Sequence, residues 1–183
     1  MSGFAEYRPG TVRRRARVDV RPAEIADLDA CAELTVARTG GSAAERRQRL
    51  EADLGDPERY AVVPAIHGTV VGYGGVIRHV VSATDPPSMA PAGYYLVGLI
   101  VAHAWRRHGI GELLTRDRME WVADRADRAD RADEVYYFAN LANRPTLDLH
   151  HSLRFVEVTR DFTFPGDPLK PGTGVLLRAD LQG

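Results

Sequence analysis

The 183-residue sequence holds a single cysteine, Cys31, so no disulfide can form within the chain. Long hydrophobic runs are missing too. The longest, Tyr94–Trp105, is too short to span a bilayer, and the opening Met-Ser-Gly-Phe-Ala-Glu has no apolar signal core. Neither sign of charge dominates: 24 Lys and Arg stand against 25 Asp and Glu, a formal net charge of −1. Global charge therefore gives no argument for nucleic acid. His67, His79, His103, His108, His150 and His151 show no metal-ligand spacing. The expectation is a cytoplasmic protein with no metal and with neither nucleic acid nor membrane as partner.

What remains is an ordinary globular composition, 44% apolar and 27% charged, at a length that suits one domain with a substantial core. Residues 1–17 read as a flexible basic tail ending in Arg13-Arg14-Arg15-Ala16-Arg17, and residues 18–183 as the folded domain. Cys31 shares an apolar helical face with Ile25, Leu28 and Thr35, which makes it a buried small residue and not a nucleophile.

Along the chain, Val18–Arg21 reads as a short strand and Pro22–Arg38 as a helix ending at Gly40-Gly41. Ser42-Ala43-Ala44-Glu45 is a capping box for a second helix that stops at Gly55-Asp56-Pro57. Tyr60–Ile66 and Val70–Val80 are strands joined by the hairpin signal His67-Gly68-Thr69. Gly72, Gly74 and Gly75 signal a bulge or the close approach of another backbone. Ser82–Gly93 is a loop long enough to border a pocket. Tyr94–Val101 is a central strand, Gly109 to about Asp133 a helix, Val135–Ala139 a strand and Arg144–Ser152 a helix. Phe155–Phe164 and Val175–Ala179 form a closing pair linked by Pro165–Gly174. The Ala-Asp-Arg repeat of Ala123–Asp133 keeps no single helical face and reads as a solvated extension, with Asp124/Arg128 and Asp127/Arg131 at i,i+4.

One segment carries chemistry. Tyr94–Val101 delivers the chain to Arg106-Arg107-His108-Gly109-Ile110-Gly111, which opens a helix with Ile110, Leu113, Leu114 and Trp121 near one face. Such an order of parts aims successive backbone N–H groups at one spot, at the positive end of a helix dipole, with two arginines beside it. It suits a pyrophosphate. A second segment, Asn143–Phe155, reads as a helix with Asn143 as N-cap and Pro145 in its first turn, running into a strand.

These two segments resemble the GCN5-related N-acetyltransferase (GNAT) superfamily, whose pattern places Arg/Gln-x-x-Gly-x-Gly/Ala after a strand and Asn-x-x-Ala-x-x-Leu-Tyr-x-x-x-Gly-Phe further on. Leu99, Val101, Arg106, Gly109, Gly111, Asn143, Leu149 and Phe155 occupy the matching positions. The resemblance implies an α/β (α+β) fold: a mixed, twisted sheet of about six to seven strands with helices on both faces, two central strands splaying to admit pantetheine. It implies an acyl-CoA-dependent N-acyltransferase that moves an acetyl group from acetyl-CoA, as co-substrate, to a primary amine of a small molecule or peptide in a direct ternary complex. The backbone of Leu99, Ile100 and Val101 would pair with pantetheine and offer an N–H to the thioester oxygen. Arg106, Arg107, His108, Gly109, Ile110, Gly111 and Glu112 would hold the pyrophosphate, and Asn143 the pantetheine arm.

Two departures from the pattern are informative. The family's thiolate-protonating tyrosine is replaced by His150, an imidazole with an ordinary pKa of about 6.5 against about 10 for a phenol; it is the candidate general acid. Arg154 stands where the family has glycine, at a cost of about 1 kcal/mol if the turn is left-handed. No general base is evident, although an alkyl amine is neutral in only about one molecule in 2,500 at pH 7; Glu33, His79 and a water chain stay open. These gaps leave room for a second reading, an acyl-CoA-binding regulatory module without turnover. A dinucleotide oxidoreductase needs Gly-x-Gly-x-x-Gly after an early strand, whereas the chain offers Gly109-x-Gly111-x-x-Leu114 late in its length. The acceptor amine and any homodimer are not legible.

Overall fold

The computed structural model describes residues 17–125, 133–166, 169 and 172–181. Residues 1–16 of the proposed tail 1–17 lie outside the described residues, and its last residue, Arg17, is exposed; most of the Ala-Asp-Arg repeat and the middle of the last linker also lie outside them. The strands are β1 (Asp19–Pro22), β2 (Arg59–Ile66), β3 (Thr69–Val70), β4 (Gly72–His79), β5 (Gly93–Val101), β6 (Glu134–Asn140), β7 (Val156–Thr159) and β8 (Gly174–Asp180). The helices are α1 (Leu28–Thr39), α2 (Ala43–Leu54), α3 (Ile110–Ala123) and α4 (Arg144–Ser152). The eight-stranded, mostly antiparallel mixed sheet exceeds the expected six to seven strands by the two-residue β3. Among the described residues, no helix is long and apolar enough to cross a membrane.

Two compact units share β5. The first holds β1–β3, β4 to Ile77, α1, α2, α3 to Trp121 and β5 from Val97. Its strand β2 alternates. Ala61 and Val63 pack with Leu28, Cys31 and Ala32 of α1 and Leu50 of α2, while Val62 and Ile66 pack with Ile110 and Leu114 of α3. Cys31 is 1% exposed, and burial pushes its thiol up to about 12, which suits an inert core residue. The hairpin is tight because His67 and Gly68 are both left-handed, with φ of 50° and 80°.

The first helix starts later than its periodicity predicts. Pro22 closes β1, and a 3₁₀ turn, Ile25–Asp27, precedes α1. Asp27 fixes this start. It accepts two bonds from Arg21, of 2.7 and 2.9 Å, and one from the Glu24 N–H at 2.8 Å. The Arg21 guanidinium holds this buried carboxyl below the usual carboxylate range. Helix α3 ends sooner than the expected Asp133, at Ala123, with a turn at Asp124-Arg125. Beyond Val122 the only apolar residues before Val135 are alanines, and residues 126–132 lie outside the described residues. Leu113, expected on the packed face, is 39% exposed.

The second unit holds the start of β5, then β6, β8 and β7 in that order, with α4. Strand β6 pairs with β8 along its whole length, Glu134–Asn140 against Asp180–Gly174. Its parallel register with β5 covers only Tyr94–Leu96 against Val135–Tyr137. The side chains of β6 alternate as well: Tyr136 and Phe138 join Tyr95 and Phe164, while Tyr137 meets Thr146 and His150 of α4. The expected strand Phe155–Phe164 shortens to Val156–Thr159, where a bulge breaks its register with β8.

Helix α4 closes in a Schellman motif. The Phe155 N–H bonds the His150 carbonyl at 3.0 Å and the Arg154 N–H bonds that of His151 at 3.0 Å. The left-handed position is Arg154, with φ of 66°. Arg154→Gly should therefore stabilise the protein by about 1 kcal/mol, or about 2–4 °C in Tm. A Tm unchanged or lowered in a thermal melt would show that the arginine side chain compensates for its backbone.

Candidate active site

In the first unit, β5 ends at Val101 and a 3₁₀ turn, His103–Trp105, leads into the glycine segment. Two residues there are left-handed, Arg107 at φ 65° and Gly109 at φ 82°. Alternating handedness folds the backbone so that neighbouring N–H groups converge. The first intrahelical bond of α3 runs from Leu113 N–H to the Gly109 carbonyl, 3.1 Å. Helix geometry therefore supplies no in-helix carbonyl to the N–H groups of Ile110 and Gly111, and the positive end of the dipole lies at the turn. Both flanks are anchored: Trp105 and Ile110 pack on one apolar cluster with Val62, Ile66, Val71 and Leu114.

The polar side chains of the turn are ordered around it. His108 Nδ1 lies 3.0 Å from the Arg106 carbonyl, and since a carbonyl only accepts, Nδ1 carries the proton. Its ring meets Trp105 edge-on at 5.6 Å. Arg106 is half-buried and donates from Nε to the Val101 carbonyl at 3.2 Å, whereas Arg107 is exposed. Glu112 accepts from Arg116 at 3.0 Å. The turn thus offers converging donors and two cations, which fits a pyrophosphate.

Leading into this turn, β5 is irregular at Gly98, where φ is +65° and a Cβ would stand 2.9 Å from Tyr73 Cε1. Only glycine meets both demands. Past it, carbonyls alternate in direction. The Ile100 carbonyl faces β4, so close that a Cβ on Gly72 would lie 2.7 Å from it. The Leu99 and Val101 carbonyls face the other way; Leu99 accepts from Arg38 Nη1 at 2.7 Å and Val101 from Arg106.

In the second unit, Asn143 stands at the N-cap of α4, but the expected cap bond does not form. Its ψ of 63° is far from the extended value that aims a capping side chain at the helix N–H groups. Its carbonyl serves instead, accepting from Thr146 at 3.1 Å and Leu147 at 3.2 Å, and the amide of this buried residue is left uncommitted to the helix end.

His150 is wholly buried. Its ring stacks on Tyr137 at 3.6 Å and 5°, meets Phe155 edge-on at 5.0 Å, and places Nδ1 2.7 Å from the Thr146 carbonyl. Nδ1 therefore bears hydrogen, which leaves Nε2 as an acceptor in the neutral ring and as a proton donor only in the imidazolium. Of the open base candidates, Glu33 is exposed on α1, and His79 is buried between Tyr95 and Phe164. Among the described residues no group of three or more His, Cys, Asp or Glu could hold a metal ion.

Two arginines escaped the sequence reading: Arg38 and Arg118. The second is fully buried on α3. It lies four residues beyond Leu114 and four before Val122 on the packed stripe, and a charge on an apolar stripe was the available signal.

A strand delivering a left-handed turn to a helix start is an arrangement suited to anions such as a pyrophosphate. The chain belongs to the acetyltransferase (GNAT) family, whose pattern matches residues 27–155. It is accordingly an acyl-CoA-dependent acetyltransferase with acetyl-CoA as co-substrate. No curated protein matches the sequence. Among solved structures it is similar to a ribosomal-protein-alanine N-acetyltransferase from Brucella melitensis, with 20% identity, 88% of this chain and 99% of that one covered, and a TM-score of 0.67. A phosphinothricin acetyltransferase from Sinorhizobium meliloti, in complex with acetyl-CoA, gives 16%, 90%, 89% and 0.68 for the same measures. An aminoglycoside 6′-N-acetyltransferase from Acinetobacter haemolyticus gives 21%, 81%, 98% and 0.64. At these identities the likeness shows the fold, and the three acceptors differ in chemistry.

Proposed function

We propose that this acetyltransferase moves the acetyl group of acetyl-CoA onto a primary amine of a small molecule or peptide, in a direct ternary complex. The observation that carries this reading is the left-handed turn from Arg106 to Gly109 feeding the N-terminus of α3. In this reading the N–H groups at Gly109–Glu112 take the pyrophosphate oxygens, with Arg106, Arg107 and His108 around them. The backbone of Leu99, Ile100 and Val101 hydrogen-bonds the pantetheine amides as an added strand would, and Asn143 adds a side-chain bond to the same arm. A backbone N–H beside Gly98 stabilises the charge that grows on the thioester oxygen.

The amine attacks the thioester carbon, the carbon–sulfur bond breaks, a thiolate leaves and the proton shed by the amine nitrogen passes to water. His150, as the doubly protonated imidazolium, is the proposed donor: Nε2 gives its proton to that sulfur and Nδ1 keeps its own on the Thr146 carbonyl. The ring is wholly buried, so this step requires the end of α4 to yield to the thiol. That burial favours the second reading, an acyl-CoA-binding module without turnover, in which His150 is a core residue.

An assay of free thiol released from acetyl-CoA, run over a panel of amines, separates the two. Turnover with at least one amine is the expected result, and binding of acetyl-CoA without thiol release from any amine would favour the module. Replacing Arg106 and Arg107 with alanine should raise KM for acetyl-CoA about tenfold or more, as loss of charge-assisted bonds does, and leave KM for the amine nearly unchanged. An effect confined to the amine would put these arginines on the acceptor.

A further inference from the structure

The guanidinium of Arg118 has no place in the chemistry above, yet it is one of the most completely buried side chains in the protein. Its bonds define what it does. Nε donates to the Leu114 carbonyl at 2.9 Å, one turn back on α3, and Nη2 donates to Thr115 Oγ1 at 3.2 Å. These two bonds lock the side chain against its own helix. Nη1 then reaches the sheet and donates to two carbonyls at once, Val97 at 3.1 Å and Gly75 at 3.3 Å. Gly74 makes room for it, since a Cβ there would lie 3.1–3.2 Å from Arg118 Nε, Cδ and Cζ.

Val97 is the residue immediately before the left-handed Gly98, and Gly98 precedes the Leu99–Val101 backbone. A peptide that departs from the regular ladder needs another partner for its carbonyl. We propose that Arg118 is a positioning residue. By holding the Val97 and Gly75 carbonyls from α3, it fixes the kink at Gly98 and so sets the direction in which the next three peptides present their N–H and C=O groups to the pantetheine arm. Arginine suits this task better than lysine, because a locked planar fork directs several donors at once. The inference rests on the cofactor site proposed above, and it deepens that site: one helix both offers the pyrophosphate its first turn and, two turns on, aligns the strand for the rest of the molecule.

Coenzyme A and ADP separate these roles, since both carry a pyrophosphate and only coenzyme A carries pantetheine. In calorimetry, Arg118→Met should weaken coenzyme A about tenfold or more, the effect of losing about two hydrogen bonds' worth of alignment, with ADP affinity within about twofold of the parent. Arg118→Lys should show the same split at smaller size. If the methionine variant does not fold, the lysine variant carries the test. The amide resonances of Gly98 and Leu99 should shift in either variant before any ligand is added. Equal weakening of both ligands, or unchanged coenzyme A affinity in a folded variant, would overturn the proposal and leave Arg118 as a purely structural residue. If the parent protein binds neither ligand, the cofactor site itself is wrong, and that outcome is distinct.

Discussion

Gly109→Val should abolish coenzyme A binding, with affinity lost by about a hundredfold or more in calorimetry. The residue has φ of +82° at the point where the turn passes into α3. A β-branched side chain there is a genuine outlier, costing about 1–3 kcal/mol as strain if the turn persists. If the turn relaxes instead, the converging N–H groups disperse. Either way the cradle is lost, while the core beneath it, Ile110 and Leu114 against Val62 and Ile66, is untouched. Gly68→Val is the matched control: it has nearly the same φ, +80°, and open space around its would-be Cβ. It should bear a similar strain and bind coenzyme A normally. Full affinity in a folded Gly109→Val, or an equal loss in Gly68→Val, would remove the turn from the cofactor site.

The second large effect is expected at His150. General acid catalysis is worth about 10²–10⁴-fold in kcat, so removing the donor should lower turnover by that order with little change in coenzyme A affinity. Alanine is a poor probe alone, because a wholly buried ring stacked on Tyr137 also supports the core; such a truncation costs about 2–5 kcal/mol of stability. His150→Asn is cleaner. Its amide nitrogen can replace Nδ1 as donor to the Thr146 carbonyl, and nothing replaces Nε2. His150→Tyr should recover part of the activity, with the alkaline limb of the rate profile moved toward the phenol's pKa of about 10. If the asparagine variant, corrected for its folded fraction, turns over at the parental rate, His150 is a packing residue and the proton comes from elsewhere.

The parts of this protein that follow from local chemistry were legible in its sequence. Glycines and arginines after an apolar strand announced a tight turn into a helix, because a left-handed residue and a helix start leave marks in adjacent positions. Ser42 accepts from the Glu45 N–H at 3.4 Å, as its capping pattern predicted. Arg154 is left-handed, as its place before Phe155 suggested. The misreadings arose where distant partners decide. Pro22 reads as helical by pattern, but β1 claims it through pairing with Val62. Asn143 is an N-cap by composition, and its backbone angles forbid the bond. His150 was legible as a candidate donor; its burial comes from Tyr137 and Phe155, which no local window connects to it. Arg118 reaches carbonyls 21 and 43 residues away in sequence, a separation that hides the contact although the odd charge on the stripe was visible.

The side of β5 turned away from β4 also bears on how strands of separate chains meet. A strand that offers bare carbonyls invites another chain to add to it, which is how folded proteins begin to aggregate. Here the inviting groups are Leu99 and Val101, and each is already occupied by an arginine from its own chain, Arg38 and Arg106. Recognition through main-chain bonds and resistance to foreign strands make opposite demands on the same few peptides. The two arginines meet the second demand, since a neighbour's strand that approached these carbonyls would meet two charged groups first.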